Sequence, residues 1–230
     1  MADQARDDAD KAQAAAAAVA EVQGGMLVGL GTGSTAAHAI RLLGARVAQG
    51  LAIRAVATSR ASADMAAALG IAVLDFADVP RVDLTIDGAD EIDDRLFAIK
   101  GAGGAMLREK VVAEASDRMV VIADGRKRVA AIGRAAPVPV EVLPFARAAV
   151  LARLGSGAAL RLRGAAPYLT DNGNLVADCR IDLADPPAAA RRLESIAGVL
   201  GHGLFLTQVD AAYVAADGIV SRLERRAGAS

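Results

Sequence analysis

Short apolar runs alternate with helix-like segments over roughly the first half of the chain. Residues 26–44, MLVGLGTGSTAAHAIRLLG, combine a short buried strand, a glycine turn and a helix that a Ser or Thr caps and Gly44 ends. The same pattern of strand, turn and helix is predicted for residues 51–70 and again within residues 95–124. The apolar runs IAVLDF and VDLTID predict two more strands. Because parallel strands need helical crossovers, the alternation predicts a mostly parallel sheet with helices on both faces.

The two ends of the chain are predicted to complete this first domain. Residues 11–22, KAQAAAAAVAEV, are strong helix formers stopped by Gly24 and Gly25. The tail, QVDAAYVAADGIVSRLERR, is interpreted as a strand and a helix that return to the sheet. We therefore assign residues 1–133 and 205–230 to a Rossmann-like domain of the α/β class.

The texture of the sequence changes at about residue 134, where APVPVEVLP is punctuated by proline. The segments that follow predict the order β-α-β-β-α-β, and the pair Asn172-Gly173 is a hairpin signal. This order is typical of a ferredoxin-like fold. Residues 134–204 are therefore predicted to form a second, smaller α+β domain.

Composition narrows the classes of partner. Of 230 residues, 26 are basic and 27 acidic, and a net charge of −1 provides no field to attract nucleic acid or an anionic membrane. Tryptophan is absent, and the two tyrosines, Tyr168 and Tyr213, offer no stacking platform for a base. Cys179 is the single cysteine, the N-terminus is acidic, and no apolar stretch approaches a membrane span. We expect a cytoplasmic protein without nucleic-acid or membrane partners.

The first glycine turn, GTGSTA at residues 31–36, has three interpretations. It matches the dinucleotide fingerprint G-x-G-x-x-A, but the next strand ends ATSR without the expected acidic residue, although Arg60 is suited to a 2′-phosphate. A phosphate site is the less specific interpretation, because a helix N-terminus and the hydroxyls of Thr32, Ser34 and Thr35 favour an anion. A merely tight strand-to-helix turn is the third.

A second glycine turn, in KGAGGAMLREK at residues 100–110, also leads into a helix. It adds Lys100 at the entrance of the turn and Glu109 within the helix that follows. Loops at the carboxyl ends of parallel strands converge, so the two turns are expected to share one pocket. The alternative is that Lys100 is a solvated loop charge and Glu109 half of a surface ion pair.

Five carboxylates crowd into DGADEIDD, residues 87–94, directly after an apolar strand. This cluster is either a surface acidic loop, a divalent metal site, or a catalytic cluster in which Asp87 and Asp90 point into a cleft. The D-x-D-x-D-G order of an EF-hand is absent. Gly88 permits the sharp turn that the catalytic interpretation needs.

Taken together, GLGTGSTA, DGADE, KGAGGAMLREK and ADGRK, in this order and spacing, closely resemble ribose 5-phosphate isomerase of the A type. The resemblance continues through PVPVEVLPFAR and LTDNGN to DG near the C-terminus, and so covers nearly the whole chain. It departs from the family at Ala102, where many relatives have glycine, and at Gly125-Arg126, where a small residue and Ser are common.

The resemblance implies interconversion of ribose 5-phosphate and ribulose 5-phosphate without a metal or organic cofactor, in the non-oxidative pentose phosphate pathway. It also implies an assembly of copies of this chain, a homodimer or a tetramer. By motif, the implied catalytic residues include Glu109 as the base. The implied substrate-binding residues are Thr32, Gly33, Ser34, Thr35, Gly88, Ala89, Gly101, Ala102, Gly103, Lys127 and Lys11.

The chemistry of this reaction explains the residue types. Aldose to ketose conversion moves a proton from C2 to C1 through an enediolate, so one carboxylate, here Glu109, must take a carbon-bound proton and return it. Lys100 and the backbone N–H groups of its glycine turn are expected to stabilise the enediolate oxygen. Asp87 and Asp90 are expected to move hydroxyl protons, and which of them assists ring opening stays open.

Three other functions compete with this one. A sugar-phosphate sensor on the same fold would keep the phosphate loop without needing Glu109 and Lys100. An aminosugar-phosphate deaminase would need a histidine near the acidic residues, and His38 and His202 are the only histidines. A nicotinamide-dependent enzyme would use the first glycine turn for its cofactor.

Overall fold

The structure is a computed structural model and describes residues 2–225, with side chains from residue 5. Its helices are α1 Ala2–Val19, α2 Ser34–Ala48, α3 Arg60–Ala68, α4 Met106–Glu114, α5 Arg147–Leu154 and α6 Pro186–Glu194. Its first strands are β1 Leu27–Leu30, β2 Arg54–Ala57, β3 Ala72–Val73, β4 Leu84–Gly88, β5 Glu91–Ile92, β6 Ala98–Ile99, β7 Met119–Asp124 and β8 Val138–Val142. The remaining strands are β9 Ala158–Leu160, β10 Leu162–Arg163, β11 Ala166–Pro167, β12 Leu175–Cys179, β13 Val199–His202, β14 Leu204–Phe205, β15 Ala211–Ala216 and β16 Ile219–Glu224.

The main sheet has seven strands in the order β16-β15-β7-β4-β1-β2-β3. All neighbours are parallel except β16, which runs antiparallel to β15. Alanines of α1 and apolar side chains of α2 cover one face, and Val112 and Ala113 of α4 pack against the other. Burial on both faces explains why β1 and β7 are apolar without alternation. The predicted mostly parallel α/β sheet is confirmed.

The smaller antiparallel sheet, which we call the small sheet, has the order β13-β8-β12-β9 and carries α5 and α6. This is the ferredoxin-like arrangement predicted from the β-α-β-β-α-β order. The hairpin turn forms at Asn172-Gly173 and closes a bridge between Leu169 and Leu175. The sequence did not predict the short hairpin β10–β11, which intervenes between β9 and this turn.

The predicted C-terminal helix is wrong. The tail forms β15 and β16, an antiparallel hairpin joined through Asp217 and Gly218, both at positive φ. Two central residues at positive φ match the twist of a hairpin, and Asp-Gly is a preferred pair for that turn. The apolar spacing in IVSRLE is compatible with either period, so strand pairing decides the outcome.

Two helix boundaries also differ from those expected. Helix α1 begins at Ala2, well before residue 11, and α2 continues past Gly44 to Ala48. Gly44 is a packing position, because a Cβ there would lie 2.7 Å from Cβ of Leu69. Helix α2 begins after Gly33 without the predicted side-chain cap.

The division of the chain into domains at residues 133 and 204 stays a prediction. Met1 and residues 226–230, which the first predicted domain includes, lie outside the described residues. Within the described part, no helix combines the length and apolar character that a membrane span requires.

A third sheet, in the order β14-β6-β5, joins the main sheet to the small sheet. Strand β6 pairs with β14, and the backbone N–H of Lys100, one residue after β6, donates to the carbonyl of Gly203 at 2.9 Å. A Cβ on Gly203 would lie 2.1 Å from that lysine's carbonyl oxygen, so only glycine fits beside it. This pairing fixes where the Lys100 side chain enters the interior.

Candidate active site

One cleft collects the residues that the sequence predicted. It has a volume of about 220 Å³ and lies where loops following β1, β4, β6 and β7 meet. The cleft is lined by Lys11, Thr32, Gly33, Ser34, Thr35, Gly88, Ala89, Asp90, Lys100, Gly101, Ala102, Gly103, Glu109, Arg126 and Lys127. Of the predicted residues, only Asp87 is absent from the lining, because it lies fully buried behind Lys100.

The first glycine turn presents the N-terminus of α2 to the cleft. Gly33 has φ 100°, a conformation that glycine adopts without strain, and Ser34 begins the helix. Lys11 comes from α1, and its Nζ lies 3.2 Å from Oγ of Ser34. The neighbouring Asp10 is buried and accepts the backbone N–H groups of the β15–β16 turn, which fixes α1 at this place. A helix N-terminus flanked by a lysine is suited to an anion such as phosphate.

Asp87 organises the floor of the cleft. Its Oδ1 accepts the backbone N–H groups of Thr32 at 3.0 Å and Gly88 at 2.7 Å, and its Oδ2 lies 2.8 Å from Nζ of Lys100. A Cβ on Gly31 would lie 2.0 Å from Oδ1 of Asp87. The first glycine of the fingerprint is therefore needed to admit this carboxylate.

Asp90 connects the acidic segment to the second glycine turn. Its Oδ2 accepts the N–H of Ala102 at 2.9 Å, and its own N–H donates to the carbonyl of Ile99 at 2.8 Å. Ala102 stands where many relatives have glycine, and its φ is not positive, so alanine introduces no backbone strain. The departure at this position leaves the loop intact.

The other carboxylates of DGADEIDD face away from the cleft chemistry. Glu91 is buried and accepts four successive backbone N–H groups from residues 133–136. Asp93 accepts the N–H groups of Arg95 and Phe97, and Asp94 pairs with Arg128 at the surface. The cluster therefore divides into Asp87 and Asp90 at the cleft and three structural carboxylates.

Lys100 and Glu109 form the buried core of the site. Lys100 Nζ lies 3.5 Å from Oε2 of Glu109, and the two side chains are 2% and 4% exposed. Burial, together with the charge of Asp87, raises the pKa of Glu109 to about 8, although Lys100 opposes the shift. Burial alone would lower the pKa of Lys100, but the carboxylates of Asp87 and Glu109 outweigh it and raise that pKa. Glu109 is therefore a carboxyl group that can gain or lose a proton near neutral pH, and it lies beside Lys100, which stays cationic.

Two residues at or near the cleft were not predicted as site residues from the sequence. Arg126 lines the cleft beside Lys127 and pairs with Asp124 and with Asp7 of α1. Its position next to Lys127 in ADGRK was a usable signal. Phe205 of β14 places its ring 5.4 Å from Nζ of Lys100, and nothing in its local sequence indicates this.

Both histidines lie outside the cleft. His38 Nε2 contacts Oδ1 of Asp8 on α1 at 3.0 Å and does not line the cleft. His202 is buried between Lys110 and Glu194, and burial lowers its pKa to about 4. Within residues 2–225, no group of three or more His, Cys, Asp or Glu side chains is arranged to hold a metal ion.

The chain is similar to known isomerases in sequence and structure. The family model described as ribose 5-phosphate isomerase A (phosphoriboisomerase A) matches residues 54–218. The ribose-5-phosphate isomerase A of Sphingopyxis alaskensis is 51% identical over 211 residues, which cover 90% of this chain and 92% of the relative. That of Bradyrhizobium diazoefficiens is 43% identical over 231 residues, covering 94% and 95% of the two chains.

Solved structures agree with these relatives. A D-ribose-5-phosphate isomerase in complex with phospho-erythronic acid superimposes with a TM-score of 0.91 at 34% identity, covering 95% of this chain and 99% of that one. The ribose 5-phosphate isomerase A of Methanocaldococcus jannaschii gives a TM-score of 0.90 at 35% identity with the same coverage. The chain belongs to the ribose 5-phosphate isomerase A family.

Proposed function

We propose that this chain interconverts D-ribose 5-phosphate and D-ribulose 5-phosphate through an enediolate, with Glu109 as the base and without a metal or organic cofactor. The observation that carries the proposal is the buried pair of Glu109 and Lys100 in a cleft whose other end is a helix N-terminus. An aldose–ketose isomerase needs both a carbon base and a fixed cation, and the family relationship supports this choice. The reaction belongs to the non-oxidative pentose phosphate pathway.

Substrate phosphate is held at the first glycine turn. The N–H groups of residues 33–35 and the hydroxyls of Ser34 and Thr35 lie at the start of α2, where they can donate to the phosphate. Lys11 and Lys127 line the same cleft and neutralise the phosphate charge. The sugar then extends along residues 88–90 and 100–103 towards Glu109.

In the forward direction, the anionic Glu109 removes the proton from C2 of the open-chain aldose. The electron pair of that C–H bond forms the C1–C2 double bond, and the C1 carbonyl oxygen takes up negative charge. Lys100 stabilises this charge, because its Nζ is held between Glu109 and Asp87 and cannot reorient. Glu109 then returns the proton to C1, while the O2 hydroxyl proton passes to O1 with Asp87 or Asp90 as the carrier.

The rival functions find less support. A sensor has no need of a buried base beside a cation, whose burial costs stability. A deaminase of the histidine-assisted kind lacks its histidine, because His38 and His202 both lie outside the cleft. The predicted homodimer or tetramer and the cytoplasmic location stay predictions.

Turnover and its pH dependence test the proposal. We expect purified protein to interconvert the two pentose phosphates in excess chelator. Because Glu109 must be anionic and its pKa is raised to about 8, kcat/KM should rise about tenfold per pH unit below that value and level off above it. A profile that is flat between about pH 6 and pH 9 would show that another group is the base. Absence of turnover at every pH would favour the sensor.

A further inference from the structure

Arg161 holds the second glycine turn from the side of the small sheet. It follows β9 directly, its side chain is 15% exposed, and its NH1 donates to the carbonyl oxygens of Gly101 at 3.0 Å and Ala102 at 2.8 Å. Its Nε and NH2 donate to the two carboxylate oxygens of Asp178 on β12. A bidentate pair with a carboxylate fixes the plane of a guanidinium, so the direction of NH1 is fixed as well.

Tyr168 adds a second contact to the same turn. Its hydroxyl donates to the carbonyl of Gly103 at 2.9 Å, and its ring lies so close to Gly104 that a Cβ there would be 2.4 Å from Cε1. Three successive carbonyls, those of residues 101–103, therefore accept hydrogen bonds from residues near the small sheet. We call Arg161, Asp178 and Tyr168 the turn clamp.

The clamp determines where the amide groups of the turn point. In a trans peptide the N–H points opposite to the preceding carbonyl. The carbonyl of Gly101 faces Arg161, and the next N–H, that of Ala102, donates to Asp90, which lines the cleft. The carbonyl of Ala102 also faces Arg161, so the N–H of Gly103, a residue that lines the cleft, points away from Arg161. Within residues 2–225 this N–H has no acceptor.

Packing alone does not hold the turn. Beside Ala102, an open cavity of about 620 Å³ adjoins the cleft; Asp90, Ala102, Arg126 and Lys127 line both, and Arg161 and Asp178 line the cavity. The middle of the turn therefore borders open space. Met106 and Pro139 pack against Gly101, and Tyr168 packs against Gly104, so the hydrogen bonds of the clamp fix the middle of the turn between two packed ends.

We propose that Arg161, oriented by Asp178, is a positioning residue that holds the glycine turn so that the N–H of Gly103 donates to the enediolate oxygen together with Lys100. This inference rests on the proposed function. The N–H is aimed before substrate arrives, which is the condition for strong electrostatic stabilisation of a developing charge. The small sheet thereby takes part in catalysis without contacting the substrate.

Arg161→Met and Arg163→Met form the test and its matched control. Arg163 lies two residues further on, is exposed and contacts the ring of Tyr168, yet makes no hydrogen bond to the turn. We expect Arg161→Met to lower kcat by about 10- to 100-fold, the scale of a small misplacement, with KM changed less than about threefold. Arg163→Met should retain native kcat and KM.

Two inhibitors distinguish positioning from a general loss of structure. Phospho-erythronic acid carries a carboxylate where the enediolate charge develops, whereas ribitol 5-phosphate keeps the phosphate and hydroxyls without that charge. In Arg161→Met, the inhibition constant of the acid should rise about as much as kcat falls, and that of ribitol 5-phosphate should change less than about twofold. Equal weakening of both inhibitors, or an unchanged kcat, would overturn the proposal.

Tyr168→Phe covers the case in which Arg161→Met does not fold. This variant keeps the ring against Gly104 and removes only the donation to the carbonyl of Gly103, so the same selective weakening of the acid is expected on a smaller scale. If the acid and ribitol 5-phosphate again weaken equally, the clamp has no positioning role. Native protein without isomerase activity would instead refute the proposed function itself.

Discussion

Glu109→Gln is expected to lower kcat for pentose phosphate isomerisation by about 10²- to 10⁴-fold, the usual contribution of general acid–base catalysis. Glutamine keeps the shape of the side chain but cannot accept the C2 proton. Because this proton transfer is confined to the chemical step, KM should change little. The measurement is steady-state turnover of ribose 5-phosphate in both directions, with chelator present throughout.

The pH dependence of the stability of the Glu109→Gln variant provides a second test of the raised pKa. The pKa of Glu109 is raised to about 8 in the folded protein, above its unfolded value, so the folded state binds more protons between these two values. The stability contributed by this group is present at low pH and is lost as the pH rises through about 8. The glutamine side chain does not titrate, and the variant should therefore gain stability relative to the native chain as the pH increases. Native turnover in the variant would assign the base to Asp87 or Asp90.

Lys100→Met should damage both catalysis and stability. Loss of one group that stabilises an oxyanion costs about 10²- to 10³-fold in kcat. Lys100 also lies between the buried carboxylates of Asp87 and Glu109, at 2.8 and 3.5 Å. Removing one partner of a buried charge cluster leaves the others uncompensated and costs about 3–5 kcal/mol. Chemical denaturation and turnover, measured on one preparation, give the two effects.

The variant Lys110→Met distinguishes the loss of catalysis from the loss of stability. Lys110 is half-buried and also lies beside the ring of Phe205, but its Nζ contacts His202 and the carbonyl of Leu204 instead of the cleft. We expect this variant to lose stability while its kcat stays within about threefold of native. If Lys110→Met lowered kcat as strongly as Lys100→Met, the effect would come from damaged packing, and the role of Lys100 at the enediolate would be refuted.

The sequence predicted what is local and missed what is distant. The second glycine turn carries its charged residues within about ten positions, as with Lys100 and Glu109, so motif spacing was sufficient to bring them to one cleft. Arg161 contacts a turn that precedes it by 60 positions, and no pattern in the residues around it indicates this contact. The C-terminal hairpin was misread because periodicity in a short exposed strand is weak.

The acidic segment DGADEIDD illustrates the same limit. Glu91 and Asp90 are neighbours in sequence and chemically similar, yet one bonds four backbone N–H groups of a distant segment and the other lines the cleft. Glu91 lies in β5, whereas Asp90 lies in the bend between β4 and β5, so the two side chains leave the chain from different local backbone geometries. Knowing which direction faces the cleft required the pairing of β5 with β6.

The order of strands in the main sheet has a consequence for synthesis of the protein. Strand β7 lies between β4 and β15, but β15 follows the entire small sheet in the chain, and Val120 pairs with Ala211. During translation, the N-terminal part of the sheet is complete except for one open edge along a fully buried apolar strand. At about 5–20 residues per second, that edge waits for several seconds. Unpaired edges promote association between chains, so the nascent protein is most exposed to aggregation while the small sheet is being made.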